Sequence, residues 1–506
     1  MRPLLILPLV LTIFACHPPK RAAVGNPPAS AIVPTAPADV RTSVLRINST
    51  QQSWNPWQPW EKNPPRRCRA LAAIVAPQQV LTTAELVADA SYLELESADG
   101  TRFAPATVIA VDYEANLALL GPTAAKDASN VFTGTVPFQL TSPPQIGNTL
   151  AILQLEDNGQ TLQTQGTLQS VDVSANFLPG HNFLTYMVKA SMQSAANSYS
   201  LPVLRGGQLA GVLISYNTKD QLCDVAATDI IASFLKAAAS GNYAGFPSLG
   251  VAIARTEDTS FRQWLQLTDK DGGIYIKSVR HGGAAELAGV KPGDVLLAVD
   301  GQAIDRRGYY QHPNYGSLSW GHLIRGGKLP GETAALTILR DGQKLALTAT
   351  LTREEEHSRL VPNHLFGQAP NYLIKGGLIF QELNRPMLQS FGDDWQNKAP
   401  LNLLDAYENP DHYQPAVDHI VFLSGVIPTP ATVGYDRLRN LIVNKVNGHH
   451  ISNMPDLINA FNNNSVQLHA IEFTEDKLTV YLDAKLASNI DQQLIQRGIT
   501  RLAHAE

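Results

Sequence analysis

Two hydroxyls, Ser198 and Ser200, flank Tyr199 in the run Asn197-Ser198-Tyr199-Ser200. A serine hydroxyl is a weak nucleophile until a nearby base takes its proton, and imidazole suits the task because its pKa lies near neutral pH. Between Val40 and Gly241 the only histidine is His181, in the turn Pro179-Gly180-His181-Asn182; a lone loop histidine is expected to face solvent. Lys189 and Glu85 are the other bases to weigh. A carboxylate such as Glu85 is ionised but weakly basic, with an ordinary pKa of about 4.3. This stretch thus supplies hydroxyls without a suitable group to activate them. The pair His449-His450 has no Cys or carboxylate cluster at ligand spacing, so a solvated turn is expected there rather than a metal site. No cofactor is implied.

The elements around these residues read as β-structure. Ala70–Val75, Tyr92–Glu96, Ala106–Val111, Leu117–Leu120, Thr149–Gln154, Thr185–Lys189 and Leu209–Ile214 are short β-runs separated by turn residues, the pattern of a barrel or sandwich. Asp229 to Ala239 reads as a helix capped by its Asp and ended by Gly241. At 506 residues the chain has length for about three domains. Lys plus Arg number 39 and Asp plus Glu 44, a net charge of −5, so there is no basic footprint for nucleic acid. With 44% hydrophobic and 16% charged residues, the chain is neither disordered nor coiled coil.

Three frames in the first region resemble the HtrA/Deg serine proteases, whose fold is trypsin-like. The run Leu81-Thr82-Thr83-Ala84-Glu85-Leu86-Val87 matches the family's leucine-threonine-asparagine-alanine-histidine-valine-valine, which places Glu85 where the general base stands. Asn116-Leu117-Ala118-Leu119 matches the aspartate and the strand after it, which places Asn116 at the triad Asp. Asn197-Ser198-Tyr199-Ser200-Leu201-Pro202, followed by the Gly211-Val212-Leu213-Ile214 strand, matches the nucleophile loop. Without a gap the nucleophile position is Tyr199, and a one-residue slip brings in Ser198 or Ser200. The resemblance therefore implies a trypsin-like domain over 43–242 with a degenerate triad at Glu85, Asn116 and Tyr199. Ser53-Trp54-Asn55-Pro56-Trp57-Gln58 resembles the aromatic entry segment of the long two-PDZ Deg group. That likeness implies a homotrimer; as physics, Trp54, Trp57 and Trp60 interleaved with prolines equally read as an aromatic arm packing on a neighbour, and mixed oligomers with active relatives are a further reading.

A second unit, 246–354, carries Gly272–Val279 as a strand, a short helix around Ala284, Ala285 and Ala288, and the turn-strand-turn run from Lys291-Pro292-Gly293-Asp294 to Asp300-Gly301. This order resembles a PDZ domain, which adds an extended peptide to a sheet edge and receives its terminal carboxylate on backbone amides. The matching carboxylate loop is Leu249-Gly250-Val251. Trp320, Leu323 and Ile324 fall on one face of a later helix, as groove lining or as plain core. The third unit, 358–503, is a divergent second PDZ in which Tyr372–Phe380 resembles the carboxylate loop; in that group this domain often packs internally. Its section 391–414 reads as a long loop, and Ala484–Arg497 as a helix.

The N-terminus reads as an address. Residues 1–16 have a basic start and an apolar run ending at Ala15-Cys16, a secretory pattern. Ile13-Phe14-Ala15-Cys16 resembles a lipobox, which implies lipidation of Cys16. Residues 17–42 form a Pro-rich tether; within the lipoprotein resemblance, His17 in place of an Asp after Cys16 implies the outer membrane facing the periplasm. In that oxidising compartment Cys68 and Cys223 could pair; two buried free thiols remain equally open. The reading as a whole is of a mostly β chain, a trypsin-like double barrel followed by two PDZ-like α+β domains. The expected function is a proteolytically inactive envelope lipoprotein that binds peptide C-termini or unfolded segments as scaffold, holder or regulator. The alternative is a working serine-type endopeptidase with an unconventional site.

Overall fold

A computed structural model describes residues 39–156, 159–192, 200–414, 416–462, 466–475 and 478–505. Cys16 and the tether through residue 38 lie outside the described residues, as do Ser198 and Tyr199.

Strands β1 (Val44–Gln51), β2 (Arg66–Ala76), β3 (Gln79–Thr82), β4 (Ala90–Ser97), β5 (Phe103–Asp112) and β6 (Leu117–Pro122) close a barrel in the order β1-β2-β3-β6-β5-β4. After α1 (Ala125–Val131), strands β7 (Thr149–Leu155), β8 (Thr161–Ala175), β9 (Asn182–Lys189), β10 (Leu201–Arg205), β11 (Gln208–Asn217) and β12 (Leu222–Ala227) close a second, in the order β10-β11-β12-β9-β8-β7. Alternation along each strand builds both interiors. Leu45 and Ile47 of β1 join Ala72, Ile74 and Leu95 inside the first barrel, while the preceding Val44 joins Leu71, Ala73 and Leu81 in the core shared with the second. Gly211 of β11 has no side chain because a Cβ there would overlap Val225 and the Ala226 carbonyl of β12. The expected β-runs all fall within strands. Helix α2 (Thr228–Ala238) follows, but its N-cap is Ala227 with no side-chain cap. Asp229 sits in the first turn instead, where an acid still complements the helix dipole.

The second unit has strands β13 (Val251–Ala254), β14 (Ile274–Val279), β15 (Val295–Val299), β16 (Gln302–Ala303), β17 (Tyr309–His312), β18 (Gly316–Ser319), β19 (Thr333–Arg340) and β20 (Gln343–Thr350). Its main sheet runs β13-β14-β15-β19-β20, with β13 at the edge. Helices α3 (Thr259–Trp264), α4 (Ala284–Leu287) and α5 (His322–Arg325) complete it. Asp300 and Gly301, at φ 48° and 78°, make the tight turn between β15 and β16.

In the third unit, β21 (Tyr372–Lys375) and β22 (Leu378–Glu382) lead to three helices, α6 (Arg385–Gln389), α7 (Trp395–Lys398) and α8 (Leu401–Glu408). The section expected as a loop is therefore largely helical. Trp395, Leu403 and Leu404 bury themselves with Leu383, Met387 and Leu388 in a separate small core. These helices are too short for their periodicity to stand out in sequence. Strands β23 (Val421–Val426), β24 (Leu441–Val446), β25 (His449–His450), β26 (Leu468–Phe473) and β27 (Thr479–Asp483), helices α9 (Met454–Phe461) and α10 (Ala484–Gln496), and β28 (Ala503–His504) finish the sheet β27-β26-β24-β23-β22-β21-β28. His449 and His450 are exposed.

Cys68 and Cys223 are both free, and the candidate disulfide is not formed. Cys68 lies on β2 of the first barrel and donates to Gln51 Oε1, whereas Cys223 is buried on β12 of the second, against Met192 Sδ. The aromatic entry segment meets the chain's own third unit. Trp57 packs edge-on against Phe391 at 5.2 Å, Trp60 meets Tyr372 at 6.4 Å, and Gln381 Nε2 donates to the Pro56 carbonyl.

Candidate functional site

Strand β3 delivers Thr82 and Thr83 into a single 3-10 turn, Ala84–Leu86, whose buried Ala84 and Leu86 turn Glu85 toward a cavity of 440 Å³. Arg66, Cys68, Asp89 and Phe177 share that cavity. Burial pushes the Glu85 carboxyl above its ordinary range, against the opposing charge of Arg66. The backbone amide of Glu85 donates to Asn116 Oδ1 at 3.1 Å, and its carbonyl accepts from Gln51 Nε2. Asn116 is 1% exposed and sits at φ 55°, a left-handed conformation that Asn tolerates better than most residues. Among the described residues its Nδ2 has no hydrogen-bond partner. The structure thus brings Glu85 and Asn116 together, while Tyr199 lies outside the described residues. Ser200 is fully buried; its Oγ lies 2.7 Å from Thr82 Oγ1 and accepts the Thr83 amide at 3.2 Å.

His181 does not face solvent. It is 5% exposed, and its Nδ1 stands 3.0 Å from Glu114 Oε2, which Arg325 of α5 also approaches at 3.2 Å. Burial alone would raise the Glu114 carboxyl; the contact with His181 and the charges of His181, Arg325 and Arg353 outweigh it and hold the group down to about 2. Two residues earlier, Asp112 accepts from the Ala115 amide and from Tyr243 Oη, with Arg353 at 3.9 Å. Burial, then the neighbouring Glu114 charge, raises its carboxyl. Between them Tyr113 meets His364 and Phe366 at 5.1 and 4.6 Å. The turn from Asp112 to Asn116 is therefore held by segments from every unit of the chain. Sequence reasoning passed over Glu114, Arg325 and Arg353 because a charged turn and single arginines look like solvated surface; their partners are far away in the chain.

Leu249, Gly250 and Val251 lead into edge strand β13 and gather with Trp320, Leu323 and Ile324. Leu249 and Ile324 are buried core, and Val251, Trp320 and Leu323 pack half-buried against it. The helix expected to carry all three later residues is only α5, and Trp320 precedes it. Gly250 adopts φ 74°, where a side chain would be strained. Its amide donates to Ser248 Oγ and its carbonyl accepts from Arg280 N. Gly250, Val251 and Ala252 open on a 650 Å³ cavity bounded by Arg280 and Arg325 on one side and Glu408 and Asp411 of the third unit on the other. The corresponding loop of the third unit is closed internally. Gly376 N donates to Asp491 Oδ1 at 2.8 Å, Lys375 Nζ reaches Asp491 Oδ2 at 2.9 Å, and β21 lies along β22 where a peptide would add.

Two closed six-stranded barrels around a shared core, with the Glu85–Asn116 pair at their junction, define a trypsin-like protease fold. PDZ domain models match residues 247–351 and 361–501. The chain is 24% identical over 90% of its length to "Putative protease Do-like 3, mitochondrial" of Arabidopsis thaliana, covering 78% of that protein. It is 23% identical over 88% of its length to "Protease Do-like 2, chloroplastic" of the same plant, covering 70% of it. It is also similar to a solved structure, "HtrA-type protease AlgW with decapeptide", at 18% identity, over 62% of this chain and 97% of that one, with a TM-score of 0.45. The two PDZ domains and the Do-like relatives matched over nine-tenths of the chain support an HtrA/Deg-family trypsin-like protease with two PDZ domains.

Proposed function

We propose that this HtrA/Deg member is a proteolytically inactive scaffold that binds polypeptide C-termini or unfolded segments. The observation that carries the reading is Glu85 in the place of the imidazole, with its backbone amide spent on Asn116. An ordinary carboxylate is a much weaker base than imidazole, whose near-neutral pKa lets the histidine accept the serine proton and then return it to the leaving group. The one histidine of the barrels, His181, is engaged with Glu114 instead. Ser200 Oγ is bonded to Thr82 Oγ1 and accepts the Thr83 amide. Peptide binding is assigned to the first PDZ, where edge strand β13 and Leu249-Gly250-Val251 offer strand addition, and not to the second, whose loop already holds Asp491.

Residues 1–16 act as a lipoprotein signal, Cys16 carries the lipid, and residues 17–42 tether the body to the outer membrane on its periplasmic side. Homotrimers or mixed oligomers with active relatives extend the proposal and are read by light scattering. Mass spectrometry of the membrane fraction should find diacylglyceryl-Cys16 as the N-terminus; an unmodified Cys16 overturns the anchor.

The decisive experiment combines turnover with binding. Purified protein should leave casein intact and resist labelling by a fluorophosphonate, yet bind peptides with a free C-terminal carboxylate, and Gly250→Glu should lose that binding. Casein turnover abolished by Ser198→Ala would falsify the inactive reading in favour of a working endopeptidase.

A further inference from the structure

The segment that opens the second PDZ lies across the junction of the two barrels. Phe366 stacks on Phe177 of the β8–β9 loop at 5.5 Å and meets Tyr113 of the β5–β6 turn at 4.6 Å. His364 covers the other side, 4.7 Å from Phe366 and 5.1 Å from Tyr113. The next backbone amide, Gly367 N, donates to Asp89 Oδ1 at 3.0 Å. Asp89 and Phe177 also line the 440 Å³ cavity that holds Glu85, so the slot continues into open space on the side of the degenerate triad. The two walls come from different barrels, whereas the occupant comes from a third unit, more than 180 residues further along the chain than Phe177.

We propose that the slot between Tyr113 and Phe177 is a binding site for an aromatic side chain of an extended polypeptide, kept closed by the chain's own Phe366. The native occupant shows what the site accepts. It takes an aromatic ring against two aromatic walls, stacked on Phe177 and tilted against Tyr113, followed by a free amide for the Asp89 carboxylate, a charge-assisted hydrogen bond. An unfolded client exposes both features, and a folded one hides them. Docking of the second PDZ and client binding then compete for one slot, so the apparent affinity is the intrinsic affinity scaled by the fraction of molecules with Phe366 released. This site is separate from the PDZ groove and needs no terminal carboxylate.

The test uses the full chain and a fluorescent, C-terminally amidated peptide of sequence Asn-His-Leu-Phe-Gly-Gln, whose blocked terminus removes PDZ-type recognition. Phe366→Ala should bind it at least about tenfold more tightly than the unaltered protein does, and Phe177→Ala added to that variant should abolish the gain. In the unaltered protein, saturating peptide should speed hydrogen exchange across residues 364–367. No gain in Phe366→Ala, a gain that survives Phe177→Ala, or unchanged exchange at 364–367 each overturns the proposal. None of these results bears on free-carboxylate binding by the first PDZ.

Discussion

Asn116 Oδ1 accepts the backbone amide of Glu85, 3.1 Å away. The two residues that stand where a charge-oriented base would be are joined, but through a main-chain group. The bond fixes the turn at Asn116 and leaves the Glu85 carboxyl to the cavity. Asn116→Gly, which tolerates φ 55°, should lower unfolding free energy by about 1 kcal/mol through loss of this bond. Asn116→Ala should cost roughly a further 1 kcal/mol for the left-handed backbone. Urea titration of the two variants beside the parent checks both values.

Glu114 makes the fold sensitive to acid. Its folded-state carboxyl is held at about 2, below its unfolded value of about 4.3. Its stabilisation is present above the unfolded value and is lost as pH falls from about 5 toward 2. The groups facing it are His181, Arg325, Arg353, His364 and, with the opposite sign, Asp112, whose raised carboxyl favours the fold as protons bind. Glu114→Gln should be less stable than the parent at pH 7, and its stability should fall less steeply between about pH 5 and 2. Denaturation midpoints across that range read the slope, and parallel curves would refute the assignment.

Arg262 is 3% exposed and donates to the carbonyls of Thr256, Thr268 and Asp271, pinning the loop on either side of α3. Arg262→Met keeps much of the volume but leaves those carbonyls without their donor. The loss should be roughly 2–3 kcal/mol, with hydrogen-exchange protection falling over residues 256–271 first.

Asp294, 1% exposed, takes two 2.7 Å bonds from Arg340, one to each carboxylate oxygen. Lysine cannot reproduce that fork. Arg340→Lys should therefore destabilise the first PDZ by about 1–2 kcal/mol, measured by the thermal midpoint.

Much of the scaffold was legible from the chain alone. The continuous apolar runs of β1, β2, β7 and β11 follow from burial on both faces, and Asp300-Gly301 turns where two successive positive φ values are needed. The site was legible where the frame is local: Glu85 and Asn116 lie 31 residues apart on elements that the barrel brings together. What joins distant segments was hidden. The burial of His181, its partner Glu114 and the grip of Arg325 involve separations of 67 to 211 residues, which no periodicity records. The helices α7 and α8 were missed because packing rather than propensity sustains such short pieces. The aromatic arm was visible as sticky surface, but its target was not.

That arm closes a loop in the covalent chain. Trp57 and Trp60 enter just ahead of β2, yet they rest on Phe391 and Tyr372, so the beginning and the end of the body are stitched together. A nick between the exposed Glu355 and His357 should therefore leave the severed C-terminal piece in place, held by the arm that joins β1 to β2.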